Sequence, residues 1–195
     1  MGLPVPKRQK KLSPNAALII IDAQKAWDDP RMKRSRNNLN AEERIAELLA
    51  GWRRTGRPVL HIRHDSLIPG SLFSRGKPGN TIKKEVKPMH GEPVIGKHVN
   101  SAFIGTDLEE RLRESGIREV VITGLTTDHC ISTTTRMAGN LGFRTLLVSD
   151  ATAAHSRVGV RGERYSAELI HQTSLASLNG EFAEVVDTET LLKRL

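Results

Sequence analysis

The sequence predicts an α/β domain, a mostly parallel sheet with helices on both faces. Three observations carry that expectation. Stretches of strand length alternate with helical patterns along the chain. The first of them, Ala16-Ala-Leu-Ile-Ile-Ile21, is apolar without a break, as a strand covered on both faces must be. Several of the strands run straight into a polar or reactive residue, as they do where ligands bind at strand ends. The chain has 195 residues, 37% of them apolar and 27% charged, which suits one globular domain over residues 15–195. Residues 1–14 read as a basic, disordered arm.

Taken in order, the first strand ends at Asp22. Asn40-Ala-Glu-Glu43 sets a capping residue three positions before a glutamate, a helix start. Ile45, Leu48, Leu49 and Trp52 follow as one apolar stripe, and Gly56 is the stop. Residues 58–62 form a second strand. Residues 65–92 are rich in Pro and Gly, show no period, and read as a long functional loop. Residues 93–95 lead as a third strand into Lys97. Thr106 caps a helix with Glu109 at the box position, Leu108 and Leu112 face inward, and Gly116 ends it. Residues 119–123 are a fourth strand. Residues 130–141 are a helix closed by Gly142, and residues 143–148 a fifth strand ending at Ser149-Asp150. A helix over 163–178, a short strand over 184–186 and a last helix over 188–195 complete the series.

Composition removes several function classes. The longest apolar run is six residues, too short to cross a bilayer, so no membrane partner is expected. No apolar stretch of about 7–15 residues follows the basic N-terminus, as a secretory signal would require. One cysteine excludes an intramolecular disulfide and a multi-cysteine metal site, which fits a cytoplasmic protein. The net charge is +8, but residues 1–36 hold nine basic residues against three acidic ones, while the rest carry 21 against 19. The excess belongs to a tail and one early loop. That tail lacks aromatics to stack on bases, which argues against a nucleic-acid partner.

The strand ends supply a carboxylate, an ammonium and a thiol. Alone, each has a plain explanation: a buried small hydrophobe for Cys130, a loop-binding acid for Asp22, a solvated cation for Lys97. Position changes the weighting. Cys130 follows a glycine-containing turn after a buried strand, where a helix N-terminus favours thiolate and free N–H groups can hold an oxyanion. Asp22 can take and return a proton. Lys97, if its head lies between the two, favours the charged pair. His129 adjoins Cys130 but does not share its helix face, so it lines the pocket rather than acting as base. His61 and His64 point to opposite sides of an extended segment, poor geometry for a shared metal.

Three segments together resemble the isochorismatase-like cysteine hydrolases, the family that includes nicotinamidases and N-carbamoylsarcosine amidase. They are Ala17-Leu-Ile-Ile-Ile-Asp22-Ala-Gln24, Gly96-Lys97-His-Val-Asn-Ser-Ala-Phe103, and Gly124-Leu-Thr-Thr-Asp-His-Cys130 with Thr133-Thr-Thr-Arg-Met137. The match runs from about residue 16 to the C-terminus. The resemblance implies a three-layer α/β/α sandwich around a six-stranded, mostly parallel sheet. It implies a catalytic triad of Asp22, Lys97 and Cys130, with a non-proline cis peptide at Leu125–Thr126 and an oxyanion hole formed by the N–H groups of Thr126 and Cys130. It makes Trp27 a pocket wall, and Asn100, Phe103, His64 and His129 further candidates for the substrate pocket, with His155 near the site. Metal-binding nicotinamidases carry an Asp-x-His pair after the second strand, where this chain reads Arg63-His-Asp-Ser66, so neither metal nor cofactor is expected. True isochorismatases of siderophore pathways lack the cysteine.

The expected function is hydrolysis of a C–N bond in a small amide-type substrate through a thioester. A vinyl ether bond, as in isochorismate, is the alternative within the family. A non-catalytic module binding an anionic partner through the basic N-terminal stretch is the alternative outside it. The resemblance also implies a homo-oligomer, dimer or tetramer, with the long helix near the C-terminus as a possible interface.

Overall fold

A computed structural model describes residues 11–33 and 35–195. Its strands are β1 (Ala17–Ile21), β2 (Val59–His64), β3 (Val94–Lys97), β4 (Glu119–Leu125), β5 (Arg144–Ala153), the two-residue β6 (Arg157–Val158) and β7 (Arg164–Tyr165), and β8 (Glu184–Val186). Its helices are α1 (Pro30–Lys33), α2 (Ala41–Arg54), α3 (Leu108–Glu114), α4 (Ser132–Asn140), α5 (Ala167–Leu178) and α6 (Thr188–Leu192). Six strands form one sheet in the order β3-β2-β1-β4-β5-β8, and every pairing within it is parallel. The remaining two, β6 and β7, make a small antiparallel hairpin.

Alternation along the strands explains the three layers. Ala17, Ile19 and Ile21 of β1 pack with Val120 and Ile122 of β4 against Leu108, Leu112, Ala138, Leu175 and Leu178, so α3, α4 and α5 cover that face. Leu18 and Ile20 point the other way with Val121, Leu146 and Val148, onto Ile45, Leu48, Leu49 and Trp52 of α2 and Leu191 of α6. β1 is buried at every residue, as its unbroken apolar run requires. Trp52 is fully buried because its Nε1–H finds the Ala16 carbonyl at 2.9 Å.

The chain runs from β1 outward to β3, then returns to the other side of β1 as β4. Between β1 and β4 the connections diverge, leaving a crevice at the carboxyl ends of the strands.

Several boundaries differ from the sequence reading. β4 runs two residues further than expected, to Leu125, and β5 continues past Ser149-Asp150. A register irregularity allows this: Ile122 pairs with Leu147, but Gly124 pairs with Thr152. The last two helices are shorter than expected, 167–178 and 188–192. Thr106 does not cap α3. Its hydroxyl donates to the Ala102 carbonyl, and Asp107 occupies the N-cap position without a side-chain capping bond. The first ten residues of the expected arm lie outside the described residues. Its end is not free, however: Leu12 is buried and its N–H donates to the Arg194 carbonyl at 3.0 Å.

A buried charge network braces the segments flanking the crevice. Glu42, at the start of α2, accepts from Arg36 Nη1 at 2.8 Å and from Lys83 Nζ at 2.7 Å, and Lys83 also reaches Asp28 at 2.7 Å. Burial pushes the Glu42 carboxyl up, but Arg36 and Lys83 outweigh it and hold it at about 2, against a usual 4.5. Between those values the unfolded chain binds the extra proton. The stability from Glu42 is therefore complete above about pH 4.5 and is lost as pH falls toward 2, a loss of about 3 kcal/mol. Denaturant midpoints measured from pH 6 to pH 2.5 should fall accordingly, and Glu42→Gln should flatten that part of the curve.

Candidate active site

Four strand ends converge on the crevice. Asp22 follows β1, His64 closes β2, Lys97 closes β3, and β4 runs into the turn that carries Cys130. Asp22 has φ 51°, a left-handed conformation uncommon outside glycine. Its carbonyl accepts from Gln24 N at 2.8 Å and from Trp27 Nε1 at 2.7 Å, bonds that hold the chain in this conformation. A short 3-10 turn, Lys25–Asp28, presents Trp27.

Lys97 is wholly buried, so its ammonium must be compensated within the protein. Its Nζ donates to Asp22 Oδ2 at 2.7 Å and to the Val99 carbonyl at 3.2 Å, and lies 3.4 Å from both Cys130 Sγ and His64 Nδ1. The three side chains singled out by position and resemblance thus meet at one ammonium. Asp22 Oδ1 is buried and accepts no hydrogen bond from the described residues.

The peptide bond between Leu125 and Thr126 is cis. Cys130 lies in a π-helical turn, Thr127–Ile131, that leads into α4. The expected helix start at Cys130 is corrected: the α-helix begins two residues later. The expectation of a thiolate is corrected as well. Burial, reinforced by the Asp22 carboxylate, pushes the Cys130 thiol up to about 12, and Lys97 only partly opposes it. Burial also raises the Asp22 carboxyl above its usual value, against the pull of Lys97. The cluster sets the Cys130 thiol beside the Asp22–Lys97 ion pair.

Above these groups lies a cavity of about 230 Å³. Asp22, Cys130 and Thr126 form part of its lining, together with four of the expected pocket residues: Trp27, His64, Asn100 and His129. Phe103 is not among them. It is buried in the core and stacks on Phe143, ring centres 6.1 Å apart, because that face of the 100–108 segment packs onto α3 and α4 rather than toward the strand ends. His155 stacks on Trp27 at 5.3 Å, behind the pocket wall. Arg157 makes two short contacts with Asp128 and approaches His129 Nδ1 at 3.4 Å.

The long loop supplies what the sequence reading did not name. Ser66, Ile68, Ser71 and Phe73 line the cavity, and Phe73 meets Trp27 edge to face at 5.0 Å. The loop is anchored at both ends. Asp65 is buried and accepts from Arg63 at 2.8 Å, Arg75 at 2.7 Å and Asn80 Nδ2 at 2.9 Å. Although burial raises it, those donors hold its carboxyl well below the usual range. Asn80 also donates to the carbonyls of His64 and Phe73. Buried Gln24 completes the clamp, donating to the carbonyls of His64 and Asn80 and accepting from His64 N. In the sequence the anchoring is marked only by Asp65 two residues after Arg63 and by Gln24 two residues after Asp22. Among the described residues, no three His, Cys, Asp or Glu side chains are grouped as metal ligands would be, and no helix is long and apolar enough to cross a membrane.

Comparison with known proteins agrees with this fold. The model of the isochorismatase domain matches residues 16–190. The isochorismatase family protein YrdC of Bacillus subtilis (strain 168) is 53% identical over 176 residues, covering 90% of this chain and 94% of its own. Maleamate amidohydrolase of Pseudomonas putida is 28% identical, covering 92% of this chain and 86% of its own. A crystal structure of a hydrolase of the isochorismatase family from Chromobacterium violaceum superposes with a TM-score of 0.92 at 42% identity, covering 97% of this chain and 98% of that one. With a parallel six-stranded sheet, a strand-end crevice and these relatives, the chain belongs to the isochorismatase family of hydrolases.

Proposed function

We propose that the chain hydrolyses a C–N bond of a small amide through a thioester on Cys130, with Asp22 as the proton carrier and Lys97 as the fixed charge between them. The observation that carries this reading is the Lys97 ammonium, within hydrogen-bond reach of both Asp22 and Cys130. As the thiol sulfur attacks the substrate carbonyl, its proton passes to Asp22. The negative charge moves from carboxylate to sulfur and on to the carbonyl oxygen, and the net charge of the buried cluster stays constant. That constancy matters because a buried cluster cannot take up net charge cheaply. A raised thiol and a raised carboxyl suit a proton handed over during attack rather than a preformed thiolate.

The N–H groups of Thr126 and Cys130 are assigned to the oxyanion, a role in which one donor is typically worth roughly 3–4 kcal/mol. Collapse of the tetrahedral adduct breaks the C–N bond, and Asp22 gives its proton to the leaving amine. Asp22 then takes a proton from water as the water attacks the thioester and passes it to the Cys130 sulfur as the C–S bond breaks, releasing the acid and restoring the thiol. The relative named as an amidohydrolase favours an amide over a vinyl ether, as does the presence of the cysteine.

Cys130→Ala should retain the fold and lose amide turnover by a factor of about 10³ or more, since removing a nucleophile leaves only binding and oxyanion stabilisation. Ammonia release from a panel of small amides is the assay, with mass spectrometry of quenched wild-type protein to detect the acyl adduct. Turnover within tenfold of wild type in the variant would sink the covalent mechanism.

A further inference from the structure

His171, on α5, is a buried imidazole that does not line the cavity, and the mechanism above gives it no task. Its Nδ1 lies 2.9 Å from the Thr127 hydroxyl, and its Nε2 lies 3.3 Å from Asn38 Nδ2. Thr127 is the first residue of the π-helical turn that carries Cys130, and it follows directly on Thr126. Asn38, with φ 38°, sends its amide to the Ser149 carbonyl at 3.2 Å and to the Thr152 carbonyl at 2.8 Å. Thr152 is the residue at which β5 resumes its pairing with β4, opposite Gly124. One short segment is thus supported at two points. Gly124 is held through β5, Thr127 is held by the ring, and Thr126 lies between them.

The turn has little to hold it from within. π-Helical geometry is rare and occurs as single turns. Here the Thr126 carbonyl accepts from both His129 N at 3.1 Å and Ile131 N at 3.2 Å, and the Thr126 side chain makes no capping bond. Asp128 ties the turn outward, to Arg157 of the small hairpin, whereas Thr127 ties it inward. Burial holds the His171 ring below its usual value, against Glu168, the Ser149 carbonyl and Asp128, so the ring is neutral at pH 7. A neutral imidazole and a hydroxyl satisfy one another whichever of them donates. We infer that His171 is a positioning residue: through the Thr127 hydroxyl it fixes the turn that presents the Thr126 N–H and the Cys130 sulfur. This deepens the amidase reading and rests on it for turnover, while the brace itself follows from the buried contacts.

Two variants cut the bond from opposite ends. Thr127→Val removes the hydroxyl and keeps the shape, and His171→Leu removes the ring. Each should lower kcat for the best substrate of the amide panel by about 30-fold and leave KM within about threefold, because a misplaced nucleophile and oxyanion donor weaken the transition state more than binding. The double variant should be no slower than the slower single one, since both lose the same interaction. Thr127→Ser, which keeps the hydroxyl, should recover most of the loss. Amide hydrogen exchange gives a readout that needs no turnover. In both single variants a peptide covering residues 126–131 should exchange about tenfold faster than in wild type, the scale of one lost buried hydrogen bond, while peptides of β1 keep their protection.

Wild-type kcat in a folded Thr127→Val, losses that multiply in the double variant, or unchanged exchange over 126–131 would each overturn the inference. A histidine that only packs α5 would speed exchange in α5 and lower the thermal midpoint without moving the kcat of the folded protein. The two readings fail separately. Faster exchange over 126–131 in a protein that releases ammonia from no amide keeps the brace and rejects the hydrolase. Wild-type turnover matched by both variants keeps the hydrolase and rejects the brace.

Discussion

Lys97→Met should cost the protein both its activity and a large share of its stability. The ammonium is fully buried and is the hydrogen-bonding partner of Asp22, which is itself 1% exposed. Removing one member of a buried pair strands the other, which typically costs about 3–5 kcal/mol. Asp22 has an escape: it can take up a proton. Burial already raises its carboxyl, and without Lys97 nothing of comparable strength opposes that. The sign follows from linkage. A carboxyl whose folded value exceeds its unfolded one destabilises the fold increasingly as pH rises above the unfolded value. Urea midpoints for Lys97→Met should therefore lie far below wild type at pH 8 and recover part of the difference at pH 5. A protonated Asp22 accepts nothing from the thiol, so kcat/KM should fall by about 10³ or more at pH 7. A variant within tenfold of wild type, or one equally unstable at both pH values, would remove Lys97 from its central place.

Gly124→Ala should destabilise the fold severely. Gly124 has φ +120°, outside the range of side-chain-bearing residues, and an added Cβ would overlap the Ile21 carbonyl oxygen. Neither partner can retreat. β4 is hydrogen-bonded on both sides, to β1 and to β5, and Ile21 is the residue from which Asp22 is hung. The close approach of the two strands brings the Asp22 turn beside the Cys130 turn. The penalty exceeds about 4 kcal/mol, in the range of severe core lesions. Gly142→Ala is the control. It also has positive φ, but nothing lies within 4 Å of an added Cβ, so only about 1–2 kcal/mol of strain is expected. Soluble yield and thermal midpoints of the two variants provide the comparison. A folded Gly124→Ala with a normal midpoint would contradict the packing described.

What the sequence disclosed, and what it hid, divides by range. The apolar run of β1 needs only its own residues to be recognised, and a reactive side chain at a strand end is legible by its position. Asp22, Lys97 and Cys130 were accessible in this way. Phe103 illustrates the limit. It stands in the motif that carries Lys97, yet whether its ring faces the crevice or Phe143 is set by packing 40 residues away. Ser149 and Asp150 look like the end of a strand because two polar residues interrupt the apolar pattern, but a bulge resumes the pairing at Thr152. The loop from 65 to 92 has no period because its order comes from Asp65, Asn80 and Gln24 acting across the chain. The sign of the thiol shift is hidden from the sequence for a similar reason. A helix terminus is visible in sequence, whereas the burial and the neighbouring carboxylate that outweigh it are not.

The double anchoring of the 66–80 excursion has a consequence for how this scaffold diversifies. Asp65 and Asn80 are joined to each other by a side-chain hydrogen bond, and Arg75 and the Phe73 carbonyl add bonds to them from within the excursion. Loop-closure cost grows only slowly with length, so insertions or replacements between the anchors tax the fold little. Four of the residues lining the cavity, Ser66, Ile68, Ser71 and Phe73, belong to this one excursion. Substitutions confined to this segment would reshape the cavity wall while leaving the reactive cluster on the strand ends in place.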